Sequence, residues 1–316
     1  MRDVVALTGA TGFIGGAVAR RLIQGGWRVR ALRRSPSLTA RLSGTSLQWV
    51  LGTLEDRDCL EKLVGDADAV VHCAGAVRGI TEADFYRTNV EAVTRLARVA
   101  ANRSPMPRFL LISSLAAREP EISPYAASKR MGELALSAVA DLPWTALRPP
   151  VVYGPEDRAM RPLLRLMLYG IAPILGRKDA RFSLLYVEDL AEAVIQWLSR
   201  NVREKHAFEL DDGHPMGYTW HEVVKTFQQL RGKRVFHFQV PELMMNIIAG
   251  FNKMVASIVG YAPMFTPGKV REFRHPNWVC DNVPFHQVAC WTPQVRLKEG
   301  LRLTLGLPLT GQEAGA

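Results

Sequence analysis

Short runs of β-branched and apolar residues alternate with amphipathic helical patterns through the first half of the chain, and this alternation constrains the fold most. Parallel strands need a crossover, usually a helix, so the pattern predicts an α/β fold with a doubly wound parallel sheet. Ligands of such sheets bind at the carboxyl ends of the strands. We predict strands from Val4 to Leu7, Arg28 to Leu32, Trp49 to Leu51, Ala69 to Cys73, Phe109 to Ser113 and Thr145 to Leu147, and helices from about Phe13 to Gln24, Asp58 to Leu63, Tyr86 to Ala101 and Pro124 to Val139.

A glycine-rich loop with GxxGxxG spacing follows the first predicted strand and leads directly into a helix. The first glycine permits a tight turn, the second lets the backbone approach a pyrophosphate, and the third allows close packing of the helix on the strand. Its place between strand and helix favours a dinucleotide site over a simple glycine-rich turn. The predicted cofactor contacts here are Gly9, Thr11, Gly12, Phe13, Ile14 and Gly15.

The second predicted strand ends in Arg33 and Arg34, where proteins that bind NAD usually have an acidic residue for the ribose hydroxyl. A guanidinium forms bidentate, charge-assisted hydrogen bonds with phosphate oxygens. We therefore predict NADP(H) in preference to NAD(H). The alternative is that both arginines belong to a solvated basic turn.

Tyr125 and Lys129 lie four residues apart, after the fifth predicted strand. Ser123 is a plausible helix N-cap and Pro124 suits the first helical position, so both side chains share one face of a helix. The spacing alone also fits an ordinary surface helix. Its place at the carboxyl end of the sheet favours a catalytic pair.

The motifs occur in a characteristic order, and together they resemble the extended branch of the short-chain dehydrogenase/reductase superfamily, which comprises epimerases, dehydratases and reductases. The resemblance covers residues 4 to about 215. It implies a Rossmann-type NAD(P)-binding fold with a Ser-Tyr-Lys site. The motifs are the loop at residues 8–15, His72-Cys73-Ala74-Gly75, Asn89, Ser113-Ser114, the YxxxK motif at residues 125–129, the segment at residues 147–155 and Val187-Glu188-Asp189-Leu190-Ala191.

Carried onto this sequence, the resemblance assigns catalysis to Ser114, Tyr125 and Lys129. Strand alternation turns only one of Ser113 and Ser114 to the site, and Ser114 is preferred because the second residue of the pair matches the family position; Ser113 is the alternative. The phenol must exchange a proton near neutral pH, so we expect Lys129 and the helix N-terminus to lower its pKa. Further cofactor contacts are expected at Ala74, Gly75, Asn89, Tyr125, Lys129, Pro149 and Val151.

Three positions depart from the family pattern. Thr53 replaces the usual carboxylate beside adenine, although we still expect Thr53 and Leu54 to contact the cofactor. Leu115 follows the catalytic serine, where sugar-nucleotide dehydratases have an acidic pair, so dehydration is disfavoured. Val151 stands where sugar-nucleotide epimerases have an asparagine.

We predict a cofactor domain from residues 1–155 plus about 181–210, and a smaller, mainly C-terminal substrate domain from about 156–180 plus 211–316. Asp189 is expected to be a helix cap or a structural charge without a catalytic role. Apolar residues repeat at helical spacing from Leu243 to Val259. The favoured interpretation is a helix packed on the core; a lid over an apolar substrate and a face against lipid are alternatives.

The formal net charge of +10 is spread along the chain, and no nucleic-acid-binding motif accompanies it. We therefore predict no nucleic-acid partner. The stretch from Pro241 to Tyr261 is interrupted by polar residues, so no transmembrane segment is predicted, whereas peripheral membrane contact and a homodimer are left open. The four cysteines show no metal-ligand spacing, so we predict no metal and a cytoplasmic location.

The predicted function is hydride transfer between NADP(H) and a carbonyl or secondary alcohol of a largely apolar small molecule. The Ser-Tyr-Lys motif supports the chemistry, whereas only missing sugar-nucleotide signatures support the substrate class. Two alternatives remain: an NAD-dependent epimerase with an unusual substrate, and a non-catalytic NADPH-binding assembly subunit.

Overall fold

A computed structural model of the chain describes residues 4–35 and 46–308. Its strands run parallel wherever they pair in ladders. In chain order they are β1 (Val4–Thr8), β2 (Arg28–Arg33), β3 (Leu47–Leu51), β4 (Ala69–His72), β5 (Arg108–Ile112), β6 (Trp144–Arg148), β7 (Val151–Tyr153), β8 (Ile171–Ile174), β9 (Arg181–Phe182), β10 (Leu184–Tyr186), β11 (His206–Glu209), β12 (Phe236–Gln239) and β13 (Asn277–Trp278).

The α-helices separate most of these strands along the chain. They are α1 (Phe13–Gln24), α2 (Arg57–Val64), α3 (Glu82–Tyr86), α4 (Ala92–Ala101), α5 (Pro124–Ser137), α6 (Arg161–Tyr169), α7 (Val187–Ser199), α8 (Trp220–Arg231), α9 (Glu242–Val259), α10 (Pro267–Arg274), α11 (Val283–Ala289) and α12 (Leu297–Leu305).

Seven strands form the main sheet in the order β3-β2-β1-β4-β5-β6-β11, which confirms the predicted Rossmann-type α/β fold. The order reverses between β1 and β4, and ligands of such sheets bind at this switch point. At the carboxyl ends of the two strands, the Thr8 hydroxyl lies 2.8 Å from Nδ1 of the buried His72. Because the crossovers after β1 and β4 leave the sheet on opposite sides, the reversal leaves a crevice for a ligand at this edge.

The two faces of the sheet are buried by different helices because successive side chains of a strand point to opposite sides. Val5 and Leu7 of β1 belong to one core cluster, which includes Leu22 of α1 and several residues of α7. Ala6 belongs to the other cluster, which contains Leu60 of α2 and residues of α4. This two-sided burial explains why the strands are continuous apolar runs.

The helix predicted from Tyr86 to Ala101 is instead divided. The α3 helix leads into a π-helical turn at Arg87–Glu91 before α4 begins. The N–H of Ala92 donates to the carbonyl of Arg87, five residues earlier. A π turn accommodates one extra residue, and apolar periodicity does not reveal it.

Residues beyond about 155 build smaller parallel pairs, in which β10 joins β7, β12 joins β8 and β13 joins β9. Two further core clusters lie here, one around Phe227 and Met167 and another around Met245 and Val270. The division into a cofactor domain and a substrate domain stays a prediction.

The favoured interpretation of α9 as a core helix is wrong. Among its side chains only Met245, Ala249 and Ala256 are buried. Most of its large apolar residues face outward, and Leu243 and Ile258 are 73% and 78% exposed. Among the described residues, α9 is also the one helix that is long and apolar enough to cross a membrane, judged by length and composition alone.

Asp189 fastens the C-terminal segment to α7. It is buried, and its two carboxylate oxygens accept the backbone N–H groups of Gln294 and Val295 at 3.1 and 2.9 Å. The carboxylate therefore holds the segment that leads into α12, in agreement with the expected structural charge.

Replacing Asp189 with Ala should lower the free energy of unfolding by about 2–4 kcal/mol, because two part-buried backbone N–H groups lose their acceptors. Urea denaturation followed by circular dichroism measures the change. Glu188→Ala is the matched control: its carboxylate, 43% exposed, lies 3.6 Å from Arg20, so we expect a loss below about 1 kcal/mol. Equal losses in the two variants would contradict this role of Asp189.

Candidate active site

The loop after β1 packs too closely for side chains at its glycines. Gly9 has a φ of +74°, and a Cβ there would lie 2.6 Å from the backbone nitrogen of Ala74. A Cβ on Gly15 would collide with the Gly9 carbonyl, so α1 begins directly against the turn. The Ala74 N–H donates to the Thr8 hydroxyl at 3.3 Å, which joins the loops after β1 and β4.

The N-terminus of α1 offers a fitting site for an anion. Gly12 is its exposed N-cap, and the first turn of the helix contains no acidic residue. Backbone N–H groups at a helix N-terminus attract phosphate. Thr11 beside the cap is exposed, whereas Phe13 and Ile14 are partly buried against the core. The loop therefore fits the pyrophosphate of a dinucleotide.

Arg33, the last residue of β2, and Arg34, which follows it, lie at the neighbouring carboxyl end of the sheet. Arg33 places its guanidinium carbon 5.5 Å from the ring centre of Trp49, and its buried Nε has no hydrogen-bond partner among the described residues. Arg34 is exposed.

Thr53 and Leu54 lie close to these arginines, because the Gly52 N–H donates to the Arg33 carbonyl at 3.0 Å. The Thr53 hydroxyl accepts the Glu55 N–H at 3.3 Å. The carbonyl of Leu54 accepts Nε of Arg95 at 3.0 Å.

Ser123 and Pro124 begin α5 as the sequence indicates. The Ser123 hydroxyl accepts the Ala126 N–H at 3.0 Å, and Pro124 occupies the first turn. This cap sets the position of Tyr125 in that turn and of Lys129 one turn later.

The structure brings Ser114 and Tyr125 close together, so that the serine hydroxyl acts on the pKa of the phenol. Burial nevertheless raises the pKa of Tyr125 to about 12; the nearby Ser114 hydroxyl opposes this rise, and the charge of Glu272 adds to it. The expected lowering of this pKa by Lys129 is therefore not found in the protein alone.

Lys129 is buried and points toward the end of β5, where its Nζ donates to the Ile112 carbonyl at 3.0 Å. Burial lowers the pKa of Lys129 to about 8, against the opposing effects of Glu133 and Cys73. A Cβ on Gly75 would lie 3.1 Å from this Nζ, so the glycine leaves the ammonium room.

Asn89 holds the loop after β4 from the π turn. Its side-chain amide donates to the Ala76 carbonyl and its oxygen accepts the Ala76 N–H, at 2.9 and 2.8 Å. The amide also donates to the Ser128 hydroxyl of α5 at 2.9 Å. Asn89 therefore positions Gly75 and Ala76 against the catalytic helix, and its amide is already occupied by protein partners.

Pro149 and Val151 follow β6. The Pro149 carbonyl accepts the Leu115 N–H at 2.8 Å, which places it beside Ser114. Val151 begins β7 and is 40% exposed.

A buried polar network beneath the site escaped sequence reasoning. Glu133 accepts a hydrogen bond from Ser113 at 2.5 Å and is bound by Arg148 through Nε at 2.8 Å and Nη2 at 2.5 Å. Ser113 is thus committed to structure, while Ser114 meets Tyr125. Glu133 lies four residues after Lys129, a spacing that could have signalled a shared helix face.

A second missed group lies on α10. The buried Glu272 accepts the Ser123 hydroxyl at 2.6 Å and pairs with Lys269 at 2.7 Å. The Nζ of Lys269 lies 5.7 Å from the ring centre of Tyr125. The α10 helix therefore supports the N-terminus of the catalytic helix.

A cavity of about 370 Å³ opens beside Tyr125. Its wall combines apolar groups with charged ones. The apolar lining includes Val77, Ile80, Phe85, Pro263 and Met264, and the charged lining includes Lys253, Lys269, Arg271 and Glu272.

The seven-stranded parallel sheet and the glycine loop at a helix N-terminus define a Rossmann-type protein with a site for a nicotinamide cofactor. More particularly, the chain belongs to the NAD dependent epimerase/dehydratase family, whose sequence model matches residues 5–210. The resemblance to the extended short-chain dehydrogenase/reductase superfamily is thereby confirmed.

Individual relatives extend the comparison over nearly the whole chain. A ceramide reductase of Caulobacter vibrioides is 34% identical over 284 residues, which cover 90% of this chain and 88% of the relative. Subunit 9 of the NADH dehydrogenase [ubiquinone] 1 alpha subcomplex, a mitochondrial protein of Arabidopsis thaliana, is 27% identical over 260 residues, 80% of this chain and 60% of that protein. The structure of a UDP-glucuronic acid 4-epimerase from Bacillus cereus with NAD shares the fold, with a TM-score of 0.74, 17% identity and coverage of 96% and 97%.

Glu133→Gln should destabilise the protein by about 3 kcal/mol, because Arg148, whose side chain is only 13% exposed, would lose its charged partner. Urea denaturation again measures the effect. Arg130→Ala removes the more exposed partner, at 3.4 Å from Glu133 and 43% exposed, and should cost less than about 1 kcal/mol. If Glu133→Gln costs no more than this control, the network does not stabilise the site.

Proposed function

We propose that the protein is an NADP(H)-linked reductase or dehydrogenase that acts on a carbonyl or secondary alcohol of a largely apolar molecule. The closeness of Ser114 to Tyr125, which lines the cavity, with Lys129 buried one turn along α5, is the observation that carries this proposal. A long-chain lipid ketone of the ceramide type is the first substrate to test, because the ceramide reductase relative spans 90% of the chain. We also propose a cytoplasmic location, which suits its four free cysteines.

The cavity supports an amphiphilic substrate. Apolar walls such as Phe85 and Met264 suit hydrocarbon, whereas Lys269 and Arg271 offer charged donors for polar groups. The absence of an asparagine at Val151 and of acidic residues after Ser114 disfavours sugar-nucleotide epimerisation and dehydration, as the sequence indicates.

Each residue has a chemical task in the proposed reaction. Tyr125 donates its phenolic proton to the substrate oxygen during reduction, or takes it back in the reverse direction. Ser114 donates a hydrogen bond to the same oxygen, and Lys129 is the residue expected to bind the nicotinamide ribose. The bound nicotinamide supplies or accepts the hydride.

The pKa of about 12 for Tyr125 favours the acid role, because the phenol is protonated throughout the neutral range. A proton donor must hold its proton at the working pH. Without a substrate, the nearby Ser114 hydroxyl lowers this pKa and so limits the rise that burial causes.

Tyr125→Phe should lower turnover of a keto-ceramide with NADPH by roughly 10² to 10⁴, because the general acid is lost. Cofactor affinity should stay nearly unchanged. Steady-state kinetics, followed by the absorbance of the reduced nicotinamide at 340 nm, measure turnover, and calorimetry measures cofactor affinity. The control is Tyr169→Phe, at a tyrosine that is 78% exposed. Unchanged turnover of an accepted substrate would overturn the assignment of Tyr125.

The preference for NADP(H) rests on Arg33 and Arg34. The unpartnered Nε of Arg33 and the exposed Arg34 leave donors for a 2′-phosphate, and Trp49 stacks against the first guanidinium.

Calorimetry should therefore show tighter binding of NADPH than of NADH. Arg33→Ala and Arg34→Ala should each weaken NADPH binding by about 1.5–3 kcal/mol for every charge-assisted contact removed, with little effect on NADH. Arg28→Ala, on the same strand and exposed, is the control and should leave both affinities unchanged. Equal wild-type affinities for the two cofactors would refute the preference.

A non-catalytic subunit is the second candidate, favoured by the similarity to subunit 9 of a respiratory complex over 80% of this chain. A subunit of that kind needs a nucleotide site but no proton donor. Turnover that depends on Tyr125 would support the enzyme. NADPH binding without turnover of keto-lipids or other carbonyl compounds would support the non-catalytic subunit.

A further inference from the structure

The exposed side of α9 is an uncovered apolar surface. Its side chains project from successive turns along the full helix, which is about 27 Å long. Together with β12 directly before it, we call this feature the α9 surface. Its members, all at least 41% exposed, are Phe236, Phe238, Leu243, Met244, Ile247, Ile248, Phe251, Met254, Ile258 and Val259.

Apolar surface on this scale marks an interaction site, because soluble proteins rarely leave contiguous apolar patches uncovered. The helix is fixed to the protein by its narrow opposite side. Met245 and Ala249 pack in a cluster with Val270 of α10, and the Asn252 amide donates to the Phe265 carbonyl at 2.8 Å. The helix is thus docked as a rigid element with its apolar face outward.

The charges around this face are almost all positive. Between residues 223 and 261, Glu242 is the one acidic residue, and Arg274 pairs with it at 2.8 Å. Lys233 and Arg234, in the turn before β12, are exposed, and Lys253 lies on α9 itself. This excess accords with the net charge of +10 for the chain.

We propose that the α9 surface docks the protein onto an anionic lipid bilayer, with α9 lying in the membrane interface. An apolar helix face bordered by lysine and arginine binds such surfaces by combining hydrocarbon burial with attraction to anionic headgroups. A second copy is less suitable, because it carries the same excess of basic side chains and offers them no anionic partner.

An interfacial position suits α9 better than a transmembrane one. To cross the bilayer, the helix would have to give up the packing of Met245 and Ala249 and the hydrogen bond of Asn252, and Lys253 would enter hydrocarbon. Lying flat keeps these contacts and places the basic side chains among headgroups.

This docking stands on the surface alone and does not depend on the proposed reaction, yet it has a consequence for the site. Lys253 of α9 and the segment 263–269 that follows it line the cavity beside Tyr125. A bilayer bound at α9 would therefore lie next to the wall through which an amphiphilic molecule could reach the cavity.

Vesicle co-sedimentation of the full chain tests the proposal without any substrate. We expect binding to vesicles that contain phosphatidylglycerol, much weaker binding to phosphatidylcholine alone, and release by high salt. The double variant Ile247→Gln/Phe251→Gln should bind roughly tenfold or more weakly, and Lys233→Gln/Arg234→Gln should lose the preference for phosphatidylglycerol.

The control variant Val283→Gln/Leu303→Gln removes exposed apolar side chains elsewhere and should bind like wild type. Circular dichroism and thermal unfolding establish that each variant is folded. Should the Ile247/Phe251 variant not fold, the lipid and salt dependence of the wild type still decides the matter.

Three results would overturn the proposal. The first is wild-type protein that stays in the supernatant with phosphatidylglycerol vesicles, and the second is an Ile247/Phe251 variant that binds these vesicles as tightly as wild type. The third is a wild-type protein that is dimeric in ultracentrifugation while the Ile247/Phe251 variant is monomeric, with neither protein binding vesicles. The last would identify the α9 surface as an interface between two copies. Because no turnover is measured, failure here leaves the tests of Tyr125 unaffected.

Discussion

The geometry of the candidate active site depends on the hydrogen bonds that the buried carboxylate of Glu133 accepts. It joins α5 to the ends of two neighbouring strands, through Ser113 after β5 and Arg148 at the end of β6. This fixes the side of the helix that faces the sheet, and with it the direction in which Tyr125 and Lys129 project. Because the Ser113 hydroxyl donates its hydrogen bond to Glu133, the adjacent Ser114 is the serine that lies near the phenol of Tyr125.

The parts of the fold that follow from short-range patterns could be predicted from the sequence. Strands buried on both faces are continuous apolar runs, and the residues of the glycine loop are dictated by the close approach of Gly9 to the backbone at Ala74. The start of α5 can be predicted equally well, because the preferences of Ser123 for the N-cap and of Pro124 for the first turn are local and do not depend on tertiary contacts.

What depends on distant partners could not be read from the chain. An apolar stripe has the same periodicity whether it is buried or exposed, so the sequence predicts a core helix where the structure has α9 with an open apolar face. The predicted lowering of the Tyr125 pKa is wrong for a similar reason. Burial and the charge of Glu272, 147 positions away in the chain, raise this pKa by more than the local helix lowers it. Only the packed structure shows which effect is larger.

The π turn at Arg87–Glu91 has a consequence for how this chain can vary. Each residue of a regular helix advances the side-chain direction by about 100°. Deleting one residue from this turn would restore an unbroken α-helix and rotate Asn89 away from Ala76 and Ser128 while α4 kept its place in the core. A shortened chain would thus keep its fold and lose the support of the loop beside Lys129. The number of residues in this turn therefore matters for the site. A single-residue gap there in a related sequence would indicate an altered site within an unchanged fold.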